Sequence, residues 1–228
     1  MLRRLFLSLL FLLCHLEATE LPETHQLQKL LPTLFTDAQL FDSPESLREA
    51  GFEVNPRVHK GLMVFTHPKI KKYIFKKYQN EIDHERQISK YKARLEGAQK
   101  IRHACQKYGL KHIVVPNKWL YRLPKIYGDD EYLVVAERLK IVPGDDKKNS
   151  KNIECYHTMS YEVLQELCLI MKVLGGCDAW PRNQPFTVDG KIAFIDTEHV
   201  GQKPAHFAKH VLPLLPPEKQ AYALTIME

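Results

Sequence analysis

Asp178, Asn183 and Asp196 are the residues whose types and spacing offer chemistry. Asp178 follows Gly175-Gly176-Cys177, and Asn183 comes five residues later, with Pro181 between them. Two short apolar runs come next, residues 184–188 and 191–195. Asp189-Gly190 joins them, which is the strongest short-range hairpin signal a sequence offers. The second run delivers Asp196, followed by Thr197-Glu198. A loop and a hairpin thus direct two carboxylates and one amide oxygen towards one place. These hard oxygen donors suit Mg²⁺ held together with substrate phosphates, and they leave one carboxylate to orient a nucleophile. Asp and Asn in such positions also serve as turn-formers and hairpin caps, because their side chains bond the local backbone.

The arrangement Asp178-x4-Asn183, hairpin, Asp196 resembles the catalytic and metal-binding loops of the protein-kinase-like superfamily, which includes the aminoglycoside-type small-molecule kinases. The resemblance implies Asp178 as catalytic base and Asn183 and Asp196 as ligands of Mg²⁺, with ATP as cofactor. Three departures stand beside it. Cys177 precedes Asp178 where His-Arg or His-Gly would be, Trp180 stands where protein kinases often have Lys, and Asp196-Thr197-Glu198 replaces Asp-Phe-Gly.

Further parts follow from the same resemblance. Tyr73-Ile74-Phe75-Lys76 is similar to the Val-Ala-Ile-Lys signature, which implies Lys76 on the nucleotide phosphates. A glutamate on the following helix would pair with that lysine. Glu96 stands at a suitable distance, with Glu81 and Glu85 as rivals. Backbone groups near Glu137 and Leu139 would meet the adenine ring. No Gly-x-Gly-x-x-Gly lies ahead of Lys76, where only Gly51 and Gly61 occur. Taken for themselves, the lysines of residues 71–78 describe a solvated basic edge strand, and a stretch this short is thin support for nucleic-acid binding.

The elements that must position these residues are legible as patterns. Leu27, Leu30, Leu31 and Leu34 have helical spacing, and Ser43-Pro44 starts a second helix that Gly51 stops. Residues 62–65 and 71–78 predict two strands with a turn at His67-Pro68. Apolar residues at steps of three and four predict a long helix over 81–109. Residues 112–116 and 119–121 predict a short strand pair, 132–139 a strand, and 143–152 a polar loop. Ser160 caps a strongly amphipathic helix that runs into Gly175-Gly176. Residues 205–215 and 217–227 are helix candidates. His206 and His210 have the i, i+4 spacing of a metal pair, but no Glu follows His206 as the His-Glu-x-x-His pattern requires.

The 228 residues suffice for one ordinary domain or two very small ones, and a 44% hydrophobic share is normal for a globular chain. A net charge of +6 admits anionic ligands without demanding nucleic acid. Arg3-Arg4, an apolar run over 5–16 and a polar turn at Glu17-Ala18-Thr19 predict a secretory signal peptide over 1–19. That run is short for a membrane span, so the mature form is expected to be secreted or periplasmic, with no span. Cys105, Cys155, Cys168 and Cys177 follow it without zinc-type spacing, and buried free thiols are expected at Cys105 and Cys168.

The expected architecture is α+β: a helical lead-in over 20–60, then a reduced kinase-like domain over 61–228. That domain would consist of a small antiparallel sheet lobe and a truncated helical lobe. The expected function is an ATP/Mg²⁺-dependent phosphotransferase that binds nucleotide and an unidentified acceptor or partner protein. The alternative is a catalytically inactive, pseudokinase-like binding module. A third reading is an unrelated secreted α+β binding domain.

Overall fold

The computed structural model describes residues 20–128, 131–144 and 150–228. The expected signal peptide, Cys14 and part of the 143–152 loop lie outside them. In chain order the elements are α1 (Leu27–Leu34), α2 (Pro44–Glu49), β1 (Glu53–Val54), β2 (Leu62–Thr66), β3 (Tyr73–Tyr78), α3 (His84–Tyr108), β4 (Ile113–Val114), β5 (Lys118–Arg122), β6 (Tyr132–Glu137), α4 (Lys151–Thr158), α5 (Tyr161–Val173), β7 (Ile192–Ala193), α6 (His206–His210) and α7 (Pro217–Met227). The fold is α+β. Its contacts define two units. One comprises the described residues up to Tyr91 together with Lys118–Arg138, and the other Lys92–Asn117 together with Leu139–Glu228. Among the described residues no helix is long and apolar enough to cross a membrane.

The first unit is built on a five-stranded antiparallel sheet of order β1-β2-β3-β6-β5. Strand alternation sends Phe65, Tyr73 and Phe75 into one core with Phe35, Phe41 and Phe52. Phe35 meets Phe75 edge-on at 6.1 Å, and Phe52 meets Phe65 edge-on at 5.4 Å, the arrangement that aromatic quadrupoles favour. Residues 20–60 are therefore more than a lead-in: they supply half of these rings and the edge strand β1. Ser43 caps α2 through the Ser46 amide at 3.1 Å, with Pro44 at the first helical position.

The same alternation places Lys76 and Lys77 on opposite faces of β3. Lys77, with 1% of its side chain exposed, follows Phe75 onto the core face. Its ammonium donates to Gln87 at 2.8 Å and to Glu131 at 2.9 Å, and His84 Nδ1 stands 2.9 Å from the other Glu131 oxygen. Burial lowers the Lys77 pKa against the pull of Glu131. For Glu131, burial opposes ionisation, but the hydrogen bonds and charges of Lys77 and His84 outweigh it and hold the carboxyl below its ordinary value. Lys76 shares the other face with Ile74 and Tyr78, and the Tyr78 amide donates to the Tyr91 hydroxyl of α3 at 2.9 Å.

The second unit has a helical core. Leu164, Leu167, Cys168 and Met171 of α5 are buried with Ile101 of α3 and Ile192 and Phe194 of the hairpin. Ser160 caps α5 through the Val163 amide, as its position predicts. Two expectations are corrected. Residues 112–116 and 119–121 do not pair with each other: β4 pairs in parallel with β7, and β5 pairs with β6. Pro116 lies between them, and proline keeps the residue before it extended, which disfavours a tight reversal there. The 143–152 loop is also shorter than expected, because Ser150 caps α4 through the Ile153 amide at 3.3 Å. The four described cysteines are free. Cys168 is buried and Cys105 partly so.

Replacing Glu131 by Gln should cost about 1–3 kcal/mol at pH 7, because it leaves the Lys77 ammonium buried with a weaker partner. A carboxyl whose folded pKa is depressed contributes stability above its ordinary value, and that contribution is lost as pH falls through the folded value. Urea unfolding of wild type and Glu131→Gln should therefore differ at pH 7 and converge only once the pH has fallen below the depressed folded value. A pH-independent difference would exclude the linkage.

Candidate functional site

Helix α5 ends at Gly175-Gly176, and the loop that follows is held from beneath by buried polar groups. Asn152 of α4, 1% exposed, donates from its amide to the Pro181 carbonyl at 3.0 Å and accepts from the Phe186 amide at 2.8 Å. The Tyr156 hydroxyl, one helical turn on, donates to the Gln184 carbonyl at 2.6 Å. The Gln184 side chain donates to Cys177 Sγ at 2.8 Å. Burial, followed by the negative charges of Asp178 and Asp196, pushes the Cys177 thiol up to about 12, with the Gln184 bond opposing. Cys177 is thus a neutral packing group and not a nucleophile.

On this base Asp178 is oriented at both oxygens. Asn183 Nδ2 donates to Oδ2 and to the Asp178 carbonyl, each at 3.2 Å. Lys203 Nζ donates to Oδ1 at 3.4 Å. His206 Nδ1 lies 2.8 Å from the same oxygen, close enough for an ion pair when protonated though off the line of a hydrogen bond. Asp178 stays partly exposed, so water or a ligand can reach it. Beside it, Trp180 is stacked on His210 at 3.7 Å between centroids, with the Arg182 guanidinium 4.5 Å from the Trp180 ring centre. Burial lowers the His210 pKa, and the His206 and Lys209 charges add to this.

The hairpin forms as predicted. Thr187 N donates to the Lys191 carbonyl at 2.7 Å, and Gly190 turns with φ +82°. Ile195 N donates to the Asn183 carbonyl at 3.0 Å, which ties the strand before Asp196 to the loop of Asp178. Asp196 meets Arg94 of α3. Arg94 Nη1 donates to Asp196 Oδ1 at 2.5 Å, and Nη2 donates to Glu198 Oε2. The Thr197 hydroxyl donates to the Arg94 carbonyl at 2.5 Å. Gly97, one turn along, lies flush against this segment: a Cβ there would stand 1.9 Å from the Thr197 carbonyl oxygen.

Asp178 and Asn183 are brought together as expected, and the strand end bearing Asp196 is tied to them. The helix residue that reaches the Asp196 segment is Arg94, while Glu96 is exposed. Lys76 and Glu137 belong to the first unit, and Glu96 and Leu139 to the second. The Mg²⁺ ligands expected from the sequence do not fit a metal ion as they stand. The Asp196 carboxylate is engaged by a guanidinium, and the Asn183 amide nitrogen is turned to Asp178. His206 and His210 meet edge-on at 5.0 Å between centroids, but His206 Nδ1 is turned to Asp178 and His210 is stacked on Trp180.

Four residues escape a reading of the sequence for these roles. Arg94 and Lys203 look like any charge on a helix or loop, the spacing of His206 suggests only a metal pair, and Asn152 falls in a polar stretch that reads as a loop. A short apolar spacing, Ile153, Tyr156 and Met159 after a Ser150 cap, was the signal that could have found α4. Elsewhere in this unit, Glu166 accepts from the Lys111 and His112 amides at 3.0 and 2.7 Å and lies 3.0 Å from His112 Nδ1. With Glu162 these groups lie close enough to hold a metal, but the bonds just named already account for Glu166.

Asn152→Ala should cost about 2–4 kcal/mol, because it strips two buried backbone groups of their partners. Chemical denaturation measures the loss, and limited proteolysis should find its new cleavage sites between residues 178 and 186. A loss under about 0.5 kcal/mol would show that the loop does not depend on this side chain. No model of a known protein family matches this chain, and no curated protein matches it in sequence.

Proposed function

We propose that the chain is a kinase-like protein whose second unit carries a phosphotransferase site, ATP-dependent and acting on an unidentified acceptor hydroxyl. The observation that carries the proposal is the Asp178 carboxylate, partly exposed, oriented by Asn183 and flanked by Lys203 and His206. A carboxylate held in this way can accept or orient a hydroxyl proton. The Lys203 ammonium and the His206 imidazole beside it can donate to the oxygens of a phosphate. The element order gives further support: strands, a long helix, strands, then a helix, the Asp178 loop and the hairpin to Asp196. Agreement across that many levels weighs more than one motif.

ATP would supply the phosphoryl group. Lys76, Glu96, Glu137 and Leu139 keep the nucleotide-binding roles that the resemblance gives them, and Asn183 and Asp196 would take up the metal-binding ones only with Asp196 released from Arg94. A secreted or periplasmic location, argued from residues 1–19, belongs to the same proposal.

The second reading is a non-catalytic kinase-like binding module, favoured by the hold of Arg94 on Asp196 and Glu198. Asp178 separates the two. With labelled ATP and Mg²⁺ and a broad acceptor panel, a phosphotransferase should lose about a hundredfold or more in turnover on Asp178→Asn. Its nucleotide affinity should stay within about twofold, since the base acts on the chemical step alone. Circular dichroism should show both proteins folded. Nucleotide binding without transfer to acceptor, water or the protein itself would favour the binding module. Absence of binding as well would leave the kinase-like reading without support.

A further inference from the structure

Arg94 has no counterpart in the motifs that led to the site. Its side chain is 4% exposed, and a guanidinium remains ionised at every accessible pH. A buried cation of this kind must be paired. The partners it finds are the two carboxylates of Asp196-Thr197-Glu198, one nitrogen to each. Those two oxygens are the hard anionic donors a divalent ion would seek at the end of this hairpin.

We infer that Arg94 determines which cation this site uses: its guanidinium holds the place of a divalent metal between Asp196 and Glu198 and keeps Mg²⁺ and Mn²⁺ out of the resting protein. The inference rests on the kinase-like reading only in taking Asp196 as the metal pole. Two observations carry it beyond an ordinary ion pair. First, the fork bridges both carboxylates, so an incoming metal would have to expel a buried cation or sit beside it against like-charge repulsion. Second, the pair is fixed from the backbone side. The Thr197 hydroxyl is bonded to the Arg94 carbonyl, and the Thr197 carbonyl is pressed on Gly97, so the segment cannot swing away from Arg94 without breaking both contacts.

The test uses Mn²⁺ alone, without nucleotide, followed by the electron paramagnetic resonance signal of the free ion. Wild type should leave Mn²⁺ free up to about 1 mM, the weak end of protein sites for divalent cations. Arg94→Met, which keeps the apolar stem and removes the charge, should bind Mn²⁺ at least tenfold more tightly than wild type. Adding Asp196→Asn to that variant should abolish the gain. Wild-type binding of Mn²⁺ that disappears in Asp196→Asn would overturn the inference, as would a folded Arg94→Met that takes up no Mn²⁺. Arg94→Gln, which also removes the charge but keeps a polar end for the two carboxylates, carries the same expectation and the same overturning result if Arg94→Met does not fold. Since no nucleotide is present, failure of the phosphotransferase reading would leave these results standing.

Discussion

A guanidinium withdrawn from water needs carboxylates around it, and in the second unit that requirement arranges much else. Arg94 draws in Asp196 and Glu198. The residue between them, Thr197, is 1% exposed and returns a hydrogen bond to the helix backbone. Position 97 has to be glycine for the two backbones to lie this close. The hairpin then has one way to end, and Ile195 is in place to bond the Asn183 carbonyl and steady the loop of Asp178. Two charged centres result. At Arg94 the charge is buried and answered by two carboxylates. At Asp178 a partly exposed carboxylate has an amide and two basic side chains beside it, and new chemistry is easier to imagine there than at the closed pair.

The first unit solves a similar problem with different parts. Its core is rich in aromatic rings, and Lys77 projects into its margin within 5.9 Å of the Phe41 ring centre. A buried ammonium next to rings is tolerable because Glu131 and Gln87 both accept hydrogen bonds from it. The lysine with the lower exposure on β3 is thus part of the packing, whereas its neighbour Lys76 lies on the opposite face and is only half-buried.

Local rules made much of this fold legible. The caps at Ser43 and Ser160, the Asp189-Gly190 turn, the long periodic helix and the closing helix at Pro217 each depend on residues within a few positions of one another. The pairing of Asp178 with Asn183 was legible for the same reason, being five residues apart in one loop. What escaped depends on distance along the chain. Arg94 and Asp196 are separated by 102 positions, and Lys77 and Glu131 by 54. Nothing in the types of those residues announces a partner so remote. Lys203 and His206 reach Asp178 from beyond the hairpin, and α4, only eight residues long, was hidden behind a polar stretch that resembled a loop. Periodicity states which face of an element is apolar and is silent on which charge will answer which.

The parallel pairing of Ile113–Val114 with Ile192–Ala193 has a consequence for how this chain can be rearranged. Ile192 N is bound by the His112 carbonyl and Phe194 N by the Val114 carbonyl, so the strand leading to Asp196 is indexed by a segment some eighty residues earlier. The Asp189-Gly190 turn, with Val188 64% exposed and open space around Gly190, is held by local bonds such as that of Gly190 N to the Thr187 carbonyl. Covalent continuity at that point is therefore dispensable in a way that the neighbouring pairs are not. New termini, or an inserted domain, could be placed at the turn while Ile113 and Val114 go on setting the register that delivers Asp196.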